Sequence, residues 1–201
     1  FRKAVNKVIL ANRMNKYTGS AKDREFLATV AGLPKDQLIA AVLKHARELE
    51  AQDKAIAACY CLETVLKAHK HRPILVEFVR ICMSLERYKQ AADTLETINK
   101  AQKYKNAENL SDLARCIFEH EHRKPTPDLG AVERAEGLAL KAVELDKNCA
   151  NAHINRGMLL NLLGRADEAL ACFEVAVELT DRDHIPHVNI GNIMQIKGLY
   201  E

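Results

Sequence analysis

Apolar residues recur along this chain at spacings of three and four, and polar residues fill most of the positions between them. Leu75, Phe78, Val79 and Cys82 form one such stripe, and this spacing brings all four side chains onto one face of an α-helix. Two further stripes follow the same rule: Leu110, Leu113, Ala114 and Ile117, and then Ala135, Ala139, Ala142 and Leu145. Because no strand-like alternation persists, the pattern predicts an all-α chain.

The stripes come in pairs with short polar breaks between them, which predicts helix hairpins. We expect hairpins over residues 35–71, 72–105, 107–149 and 150–183, and a partial one over 184–201. Residues 1–34 are expected to form a degenerate N-terminal pair of helices, roughly at 2–15 and 21–31, ahead of this array over 35–201.

The hairpin over 107–149 is longer than the others because of an insertion at 119–128. This segment contains Pro125 and Pro127, and proline cannot continue a helix. We expect the insertion to join the two helices of its hairpin and to project from one edge of the array, where loops often make contacts.

A fixed offset of 34 residues relates the last two hairpins, because Gly157 and Gly164 recur as Gly191 and Gly198. The same offset relates further pairs: His153 and His187, Asn155 and Asn189, Gly130 and Gly164, Ala135 and Ala169, Ala142 and Ala176, and Leu145 and Leu179. A period of this length indicates a solenoid, in which each repeat buries its apolar face against its neighbours.

Residues 150–183 resemble a tetratricopeptide repeat, a helix–turn–helix unit of about 34 residues. The match consists of Gly157, Leu160, Ala169 and Phe173 in the register of that family. Gly157 would let the two helices of the hairpin approach closely, and Gly164 would end the first helix in the left-handed conformation that glycine adopts without strain. The resemblance implies a right-handed α-solenoid of stacked antiparallel helix hairpins, about five in number.

One departure from the family pattern affects the expected packing. Arg156 stands where the family usually has leucine, so its packing should differ locally from that of other repeats. The unit that begins at His184 reaches Glu201 in the turn before its second helix. We therefore expect the sequence to be a piece of a longer protein.

Composition and charge argue against several classes of partner. Thirty basic and 27 acidic residues give a net charge of +3, and a polynucleotide site would want a basic stripe with aromatic residues for stacking. No apolar run approaches 18 residues, so no membrane span is expected. The six cysteines lie mostly on predicted helices at or beside apolar positions. Such buried thiols behave as small hydrophobes and suit a reducing compartment, so we expect a cytoplasmic protein.

The sequence favours binding over chemistry. A metal site could be imagined from Cys59 and Cys61 with His69 and His71, but two residues on a helix are about 200° apart around its axis and therefore diverge. No nucleophile–base arrangement or phosphate-binding glycine loop stands out. We expect no catalytic residues, no cofactor and no metal within this segment.

In the family that the chain resembles, the first helix of each repeat lines a concave groove. The residues of this sequence at the corresponding repeat positions are the candidate binding residues. They are Glu77 and Arg80, Asp112 and Arg115, Asn151, Asn155 and Met158, and Asn189 and Asn192. Among them, Glu77, Arg80, Asn155 and Asn189 are expected to be exposed. An acidic residue and an arginine three positions later lie on the same face of a helix, so their charges can neutralise each other.

The amides of the later repeats suggest how a ligand would be held. An asparagine side chain donates and accepts hydrogen bonds together, so it can hold the backbone of an extended peptide whatever its sequence. Stacked asparagines resemble the ladder of tetratricopeptide arrays that bind extended peptides. The family's clamp for acidic C-terminal tails uses Lys and Arg, and the later repeats offer Asn151, Ile154, Asn155 and Val188 at the corresponding places. We therefore argue against such a clamp.

Three functions follow from the resemblance. The first is a non-catalytic interaction scaffold that binds a peptide segment or a partner subunit in its concave groove. The second is the recruitment arm of a larger multidomain enzyme, such as a glycosyltransferase. The third is a structural subunit of a large assembly, touching its neighbours through the convex face, the edges and residues 119–128. In all three the partner is a protein or peptide, and a multi-subunit complex is compatible with each.

Overall fold

The computed structural model describes residues 21–180 and 183–198, and every regular element in these two ranges is an α-helix. The helices are α1 Ala21–Val30, α2 Lys35–Ala51, α3 Ala55–Ala68, α4 Arg72–Ser84, α5 Tyr88–Ala101, α6 Ala107–Glu121, α7 Leu129–Leu145, α8 Ala150–Leu162, α9 Ala166–Leu179 and α10 His184–Ile196. The prediction of an all-α chain built from antiparallel helix hairpins is confirmed. The helix expected at about 2–15 lies outside the described residues.

The chain divides into two compact units, residues 1–87 and residues 88–201. The first unit contains α1 to α4, and the second contains α5 to α10. In sequence the division falls between α4 and α5, the two helices of the predicted repeat 72–105. The predicted domain boundary at residue 34 stays a prediction.

The core of the first unit is formed by α2, α3 and α4, with α3 packed against both of the others. Leu62 and Phe78 are fully buried there. Cys59 on α3 and Cys82 on α4 meet with their Sγ atoms 3.2 Å apart, and both are fully buried. The hydrogen bond with Cys82 lowers the pKa of Cys59 in spite of its burial, with help from the positive charge of Arg87.

Cys61 points to different neighbours from Cys59, as the angle between them on one helix predicts. Its thiol is fully buried, and burial together with the charge of Asp23 on α1 raises its pKa to about 12. All six cysteines are free thiols, and five of them are buried. The prediction that they act as small apolar residues is therefore confirmed for all but Cys149, which is half-buried.

In the second unit, α6 pairs with α7 and α8 pairs with α9, and α8 also packs against α6, α7 and α10. The close approach of α8 and α9 depends on Gly157. A Cβ atom added at Gly157 would lie 2.7 Å from Cε1 of the fully buried Phe173, which is closer than carbon atoms can pack. Gly164 follows the end of α8 with φ of +76°, the left-handed conformation predicted for it. Both glycine roles are confirmed.

The connection between α6 and α7 is shorter than the insertion predicted at 119–128. Helix α6 continues to Glu121. It cannot include Pro125, because within a helix the proline ring would clash with the carbonyl group four residues earlier, at Glu121. Glu121 is 4% exposed and accepts hydrogen bonds from Lys124 Nζ at 2.6 Å and from the backbone N–H of Asp128 at 2.9 Å. The side chain of Asp128 in turn caps α7 by accepting from the N–H of Ala131.

Among the described helices, none combines the length and the apolar character that crossing a bilayer requires.

Candidate functional site

The candidate binding residues all lie on the first helices of the hairpins, but in two separate units. Glu77 and Arg80 belong to α4 of the first unit. The others belong to α6, α8 and α10 of the second unit: Asp112, Arg115, Asn151, Asn155, Met158, Asn189 and Asn192. The two groups are therefore separate candidate surfaces.

In the first unit the predicted neutralisation of an acid by an Arg three residues on is confirmed. Arg80 Nε lies 3.1 Å from Glu77 Oε2, and its Nη2 also bonds Glu50 on α2. Arg47 approaches Glu77 at 3.9 Å. Two cations and two carboxylates thus neutralise one another across α2 and α4. Exposed ion pairs contribute little stability, and this network leaves no net charge to attract a charged ligand.

In the second unit the expectation that Asn155 is exposed is wrong. Its side chain is 3% exposed, and its Nδ2 donates to Ser111 O at 3.0 Å and to Ser111 Oγ at 2.9 Å. Asn155 therefore bridges α8 to α6. A buried amide needs such partners, because an unpaired polar group in the interior costs about 1–3 kcal/mol. This asparagine belongs to the frame of the second unit.

Asn189 occupies the same register position one repeat later and behaves differently. It is half-buried, and its Nδ2 donates to Ile185 O in its own helix at 2.9 Å. Met158 is also half-buried and packs against the apolar cluster around Leu160 and Phe173. Asn155 and Asn189 therefore do not form the expected ladder of exposed asparagines, although they occupy equivalent positions of two repeats.

Four of the predicted residues in the second unit form the surface that we call the A-helix face: Asp112, Arg115, Asn151 and Asn192. Asp112 is half-buried, and the other three are exposed. Asp112 directly follows Ser111, and Asn151 lies one turn before Asn155 on the same side of α8. Both therefore flank the hydrogen bonds that join α6 to α8. The face offers one acid, one base and two amides.

An ion pair in the second unit was not foreseen from the sequence. Arg156, where the family usually has leucine, places its Nε 2.8 Å from Glu136 Oε1 on α7. The two side chains are 22% and 13% exposed. Pairing across α7 and α8 explains how a charged residue is accepted at an apolar position, because a buried charge is tolerated when it is paired. The sequence feature that could have indicated this pair is the acidic residue Glu136, 20 residues before Arg156.

No group of three or more His, Cys, Asp or Glu residues within the described ranges is arranged to hold a metal ion. Cys59 contacts Cys82, as described above, while the rings of His69 and His71 stack on each other with centroids 5.8 Å apart.

No protein-family model matches the chain, and no curated protein matches it. Solved structures do. A thermophilic tetratricopeptide-repeat protein of Thermus thermophilus, TTC0263, superposes with a TM-score of 0.64 at 21% identity, covering 80% of this chain and 83% of that one. YrrB, a tetratricopeptide-repeat protein with an unusual peptide-binding site, gives a TM-score of 0.54 at 22% identity, covering 80% and 78% of the two chains.

A third similar structure is the first tetratricopeptide domain of Spaghetti (RPAP3) bound to the HSP90 peptide SRMEEVD. It has a TM-score of 0.51 and 22% identity, and the match covers 62% of this chain and 91% of that one. At such identities the likeness concerns the fold. The resemblance found in the glycine and alanine positions of residues 150–183 is thereby confirmed at the level of structure, and this chain has the tetratricopeptide-repeat fold.

Proposed function

We propose that this chain is a non-catalytic interaction scaffold and that it holds a peptide segment of a partner protein on the A-helix face. The observation that supports this most directly is the contrast between Asn155 and its neighbours. Asn155 fixes α6 to α8 from inside, so Asn151 presents an exposed amide on a helix whose position is held. Asn192 presents a second exposed amide on α10. Rigid support of this kind lowers the entropic cost of binding.

The chemistry of the face indicates the class of peptide. Its amides can donate to carbonyl groups and accept from N–H groups, so they recognise a peptide backbone. Asp112 and Arg115 add one charge of each sign, so the face is neutral. We therefore expect a peptide of low net charge. Spaghetti (RPAP3) is seen with the peptide SRMEEVD, but a cluster of cations that would attract such an acidic tail is missing from the A-helix face itself.

The experiment is affinity purification with quantitative mass spectrometry from cell extract. The test variant combines Asp112→Ala, Arg115→Ala, Asn151→Ala and Asn192→Ala. The matched control combines Glu144→Ala, Glu174→Ala and Glu178→Ala, which are exposed residues of the second helices α7 and α9. Circular dichroism should show both variants folded, because all but one of these side chains are exposed and Asp112 is half-buried.

We expect the test variant to lose one partner, or a small set of partners, that the control variant retains. An unchanged partner list for the test variant would contradict the proposal. Loss of a partner from the control variant alone would instead favour an assembly subunit that uses its second helices. Recruitment to a catalytic domain elsewhere in a longer protein is compatible with the same face and would be recognised from the identity of the partner.

A further inference from the structure

A second surface of the 88–201 unit has the features of a binding cleft, on the side of α6 that faces α5 and α7. Its volume is about 530 Å³. The apolar lining comprises Leu113 and Ile117 from α6, Leu138 from α7 and Ala92 from α5. Leu113 is buried, while Ile117, Leu138 and Ala92 are half-buried. The cleft therefore leaves apolar side chains partly open to water, which favours their burial by another molecule.

The two walls of this cleft carry opposite charges. Asp93 and Glu96 line it from α5, and Arg134 and Lys141 line it from α7. Asp93 and Arg134 are exposed, and within residues 21–180 and 183–198 neither has an ion-pair partner. The cleft thus keeps the acid and the base apart, with an apolar floor beneath them.

One end of the cleft is already satisfied internally. Tyr104 donates its hydroxyl hydrogen to Glu96 at 2.7 Å, and Lys141 Nζ lies 5.3 Å from the centre of the Tyr104 ring. Glu96 also pairs with Lys100 at 3.3 Å. These contacts fix the shape of that end. Unpaired charge remains at the other end, on Asp93 and Arg134.

We propose that this cleft binds an amphipathic helix of a partner protein, with basic residues along one edge of its apolar stripe and acidic residues along the other. The basic edge lies against Asp93 and the acidic edge lies against Arg134, the two cleft charges that have no ion-pair partner among the described residues. Opposite charges on facing rims favour one orientation of the helix and penalise helices with like-charged edges.

A helix fits the lining better than an extended peptide does. An extended segment needs partners for its backbone N–H and C=O groups, and no Asn or Gln side chain of the described residues lines this cleft. A helix satisfies its backbone groups internally and presents apolar side chains at intervals of three and four residues, the mode of recognition known as helix-in-groove binding. This differs from the amide-rich A-helix face, where an extended backbone would be held.

The test uses a synthetic peptide of about 18 residues, since shorter helices are marginal in water. Its ends are blocked, and it carries a leucine stripe at helical spacing with Lys along one flank and Glu along the other. Two control peptides keep the stripe and carry Lys on both flanks or Glu on both flanks. Dissociation constants are measured by fluorescence anisotropy at physiological salt, where long-range charge effects are screened.

We expect the peptide with Lys on one flank and Glu on the other, the mixed peptide, to bind about 5- to 10-fold more tightly than either control. In each control, repulsion replaces attraction at one wall of the cleft. Asp93→Lys or Arg134→Glu should each weaken the mixed peptide by a similar factor. The double variant should restore binding, because the peptide can then lie in the reverse direction. Glu133→Lys reverses an exposed charge on α7 outside the cleft and should change binding less than about twofold.

Equal binding of the three peptides, no effect of either single substitution, or no measurable binding of the mixed peptide would each overturn the proposal. The substituted residues are exposed, so the variants should remain folded, and circular dichroism checks this. The variant of the A-helix face should still bind the peptide, so that failure here and failure of the proposed scaffold function can be told apart.

Discussion

Asn155 and Ser111 are joined by two hydrogen bonds although they lie 44 residues apart in the sequence. The amide of Asn155 on α8 donates to both the backbone carbonyl and the hydroxyl of Ser111 on α6, at 3.0 and 2.9 Å. Both residues are buried, with exposures of 3% and 2%. This contact links the first helices of two successive repeats and sets their relative position along the A-helix face.

Replacement of Asn155 by Ala should therefore destabilise the fold. The buried hydroxyl of Ser111 would lose its partner, so we expect the free energy of unfolding to fall by about 1–3 kcal/mol. Urea denaturation followed by circular dichroism measures this. Asn192→Ala is the matched control, because Asn192 is exposed, and it should change the free energy by less than about 0.5 kcal/mol. Equal effects at the two positions would contradict a structural role for Asn155.

Gly157→Ala should also destabilise the fold, by overpacking. The added methyl group would lie 2.7 Å from the ring of Phe173, and insertion of a methyl group into a filled core costs about 1–3 kcal/mol. Gly137→Ala is the control, since nothing lies within 4 Å of a Cβ at this exposed position in α7. That change should stabilise the helix by about 0.5–1 kcal/mol.

The combination Gly157→Ala with Phe173→Leu tests the cause. A smaller side chain at position 173 makes room for the methyl group, so the double variant should be less destabilised than the sum of the two single variants. Additive losses would show that the ring of Phe173 is not what excludes a side chain at Gly157.

The different outcomes for Gly157 and Asn155 show which parts of this structure the sequence predicts. The recurring glycines have a local meaning: Gly164 and Gly198 both adopt a positive φ, and Gly157 marks a close approach of two helices. Asn155 shares its register position with Asn189, yet only Asn155 finds a buried serine on the preceding first helix. The position of a residue within the repeat predicts which side of the helix it lies on. Whether it is buried depends on a partner many residues away in the sequence.

Arg156 shows the same limit of the register from the opposite direction. The family pattern identified it as an unusual residue, and the pairing with Glu136 on α7 became apparent only from the packing of α7 against α8. The unpaired charges of Asp93 and Arg134 likewise belong to helices that are separated by α6 in the sequence. Contacts between repeats therefore account for most of what the periodic pattern missed.

The pair Arg156–Glu136 should be energetically coupled. Both side chains are largely buried, at 22% and 13% exposure, so a double-mutant cycle with Arg156→Ala and Glu136→Ala should give a coupling energy of about 1–2 kcal/mol. The control cycle uses Arg165 and Glu168, whose side chains are 44% and 52% exposed. Its coupling should be smaller because solvent screens the pair. A control cycle with the larger coupling would be the contrary result.

The buried thiols should resist alkylation in the folded protein. Burial raises the pKa of Cys61 and of Cys116 to about 12, from an ordinary value of 9.0. At pH 8 their thiolate fraction is then about a thousandfold below that of a free cysteine. N-ethylmaleimide and mass spectrometry should show Cys149, which is half-buried, modified before either of them. All six should react in urea, and fast native labelling of Cys61 would contradict this packing.

The same pKa shifts predict how stability depends on alkaline pH. A thiol whose pKa is raised in the folded state stabilises the fold below the pKa of the unfolded state, and this contribution is lost as the pH rises. For Cys61 and Cys116 the loss should fall between about pH 9 and about pH 12. Urea midpoints across this range measure it, and Cys61→Ala together with Cys116→Ala should flatten the decline.

The most direct test of the central claim is site-specific photo-crosslinking in cells. A photoreactive amino acid is placed at Asn151 or Asn192 on the A-helix face, or at Glu174 on the second helix α9, all exposed. If the A-helix face binds a polypeptide, Asn151 and Asn192 should capture the same partner, and Glu174 should not. Capture of that partner from Glu174, with none from the A-helix face, would contradict the account.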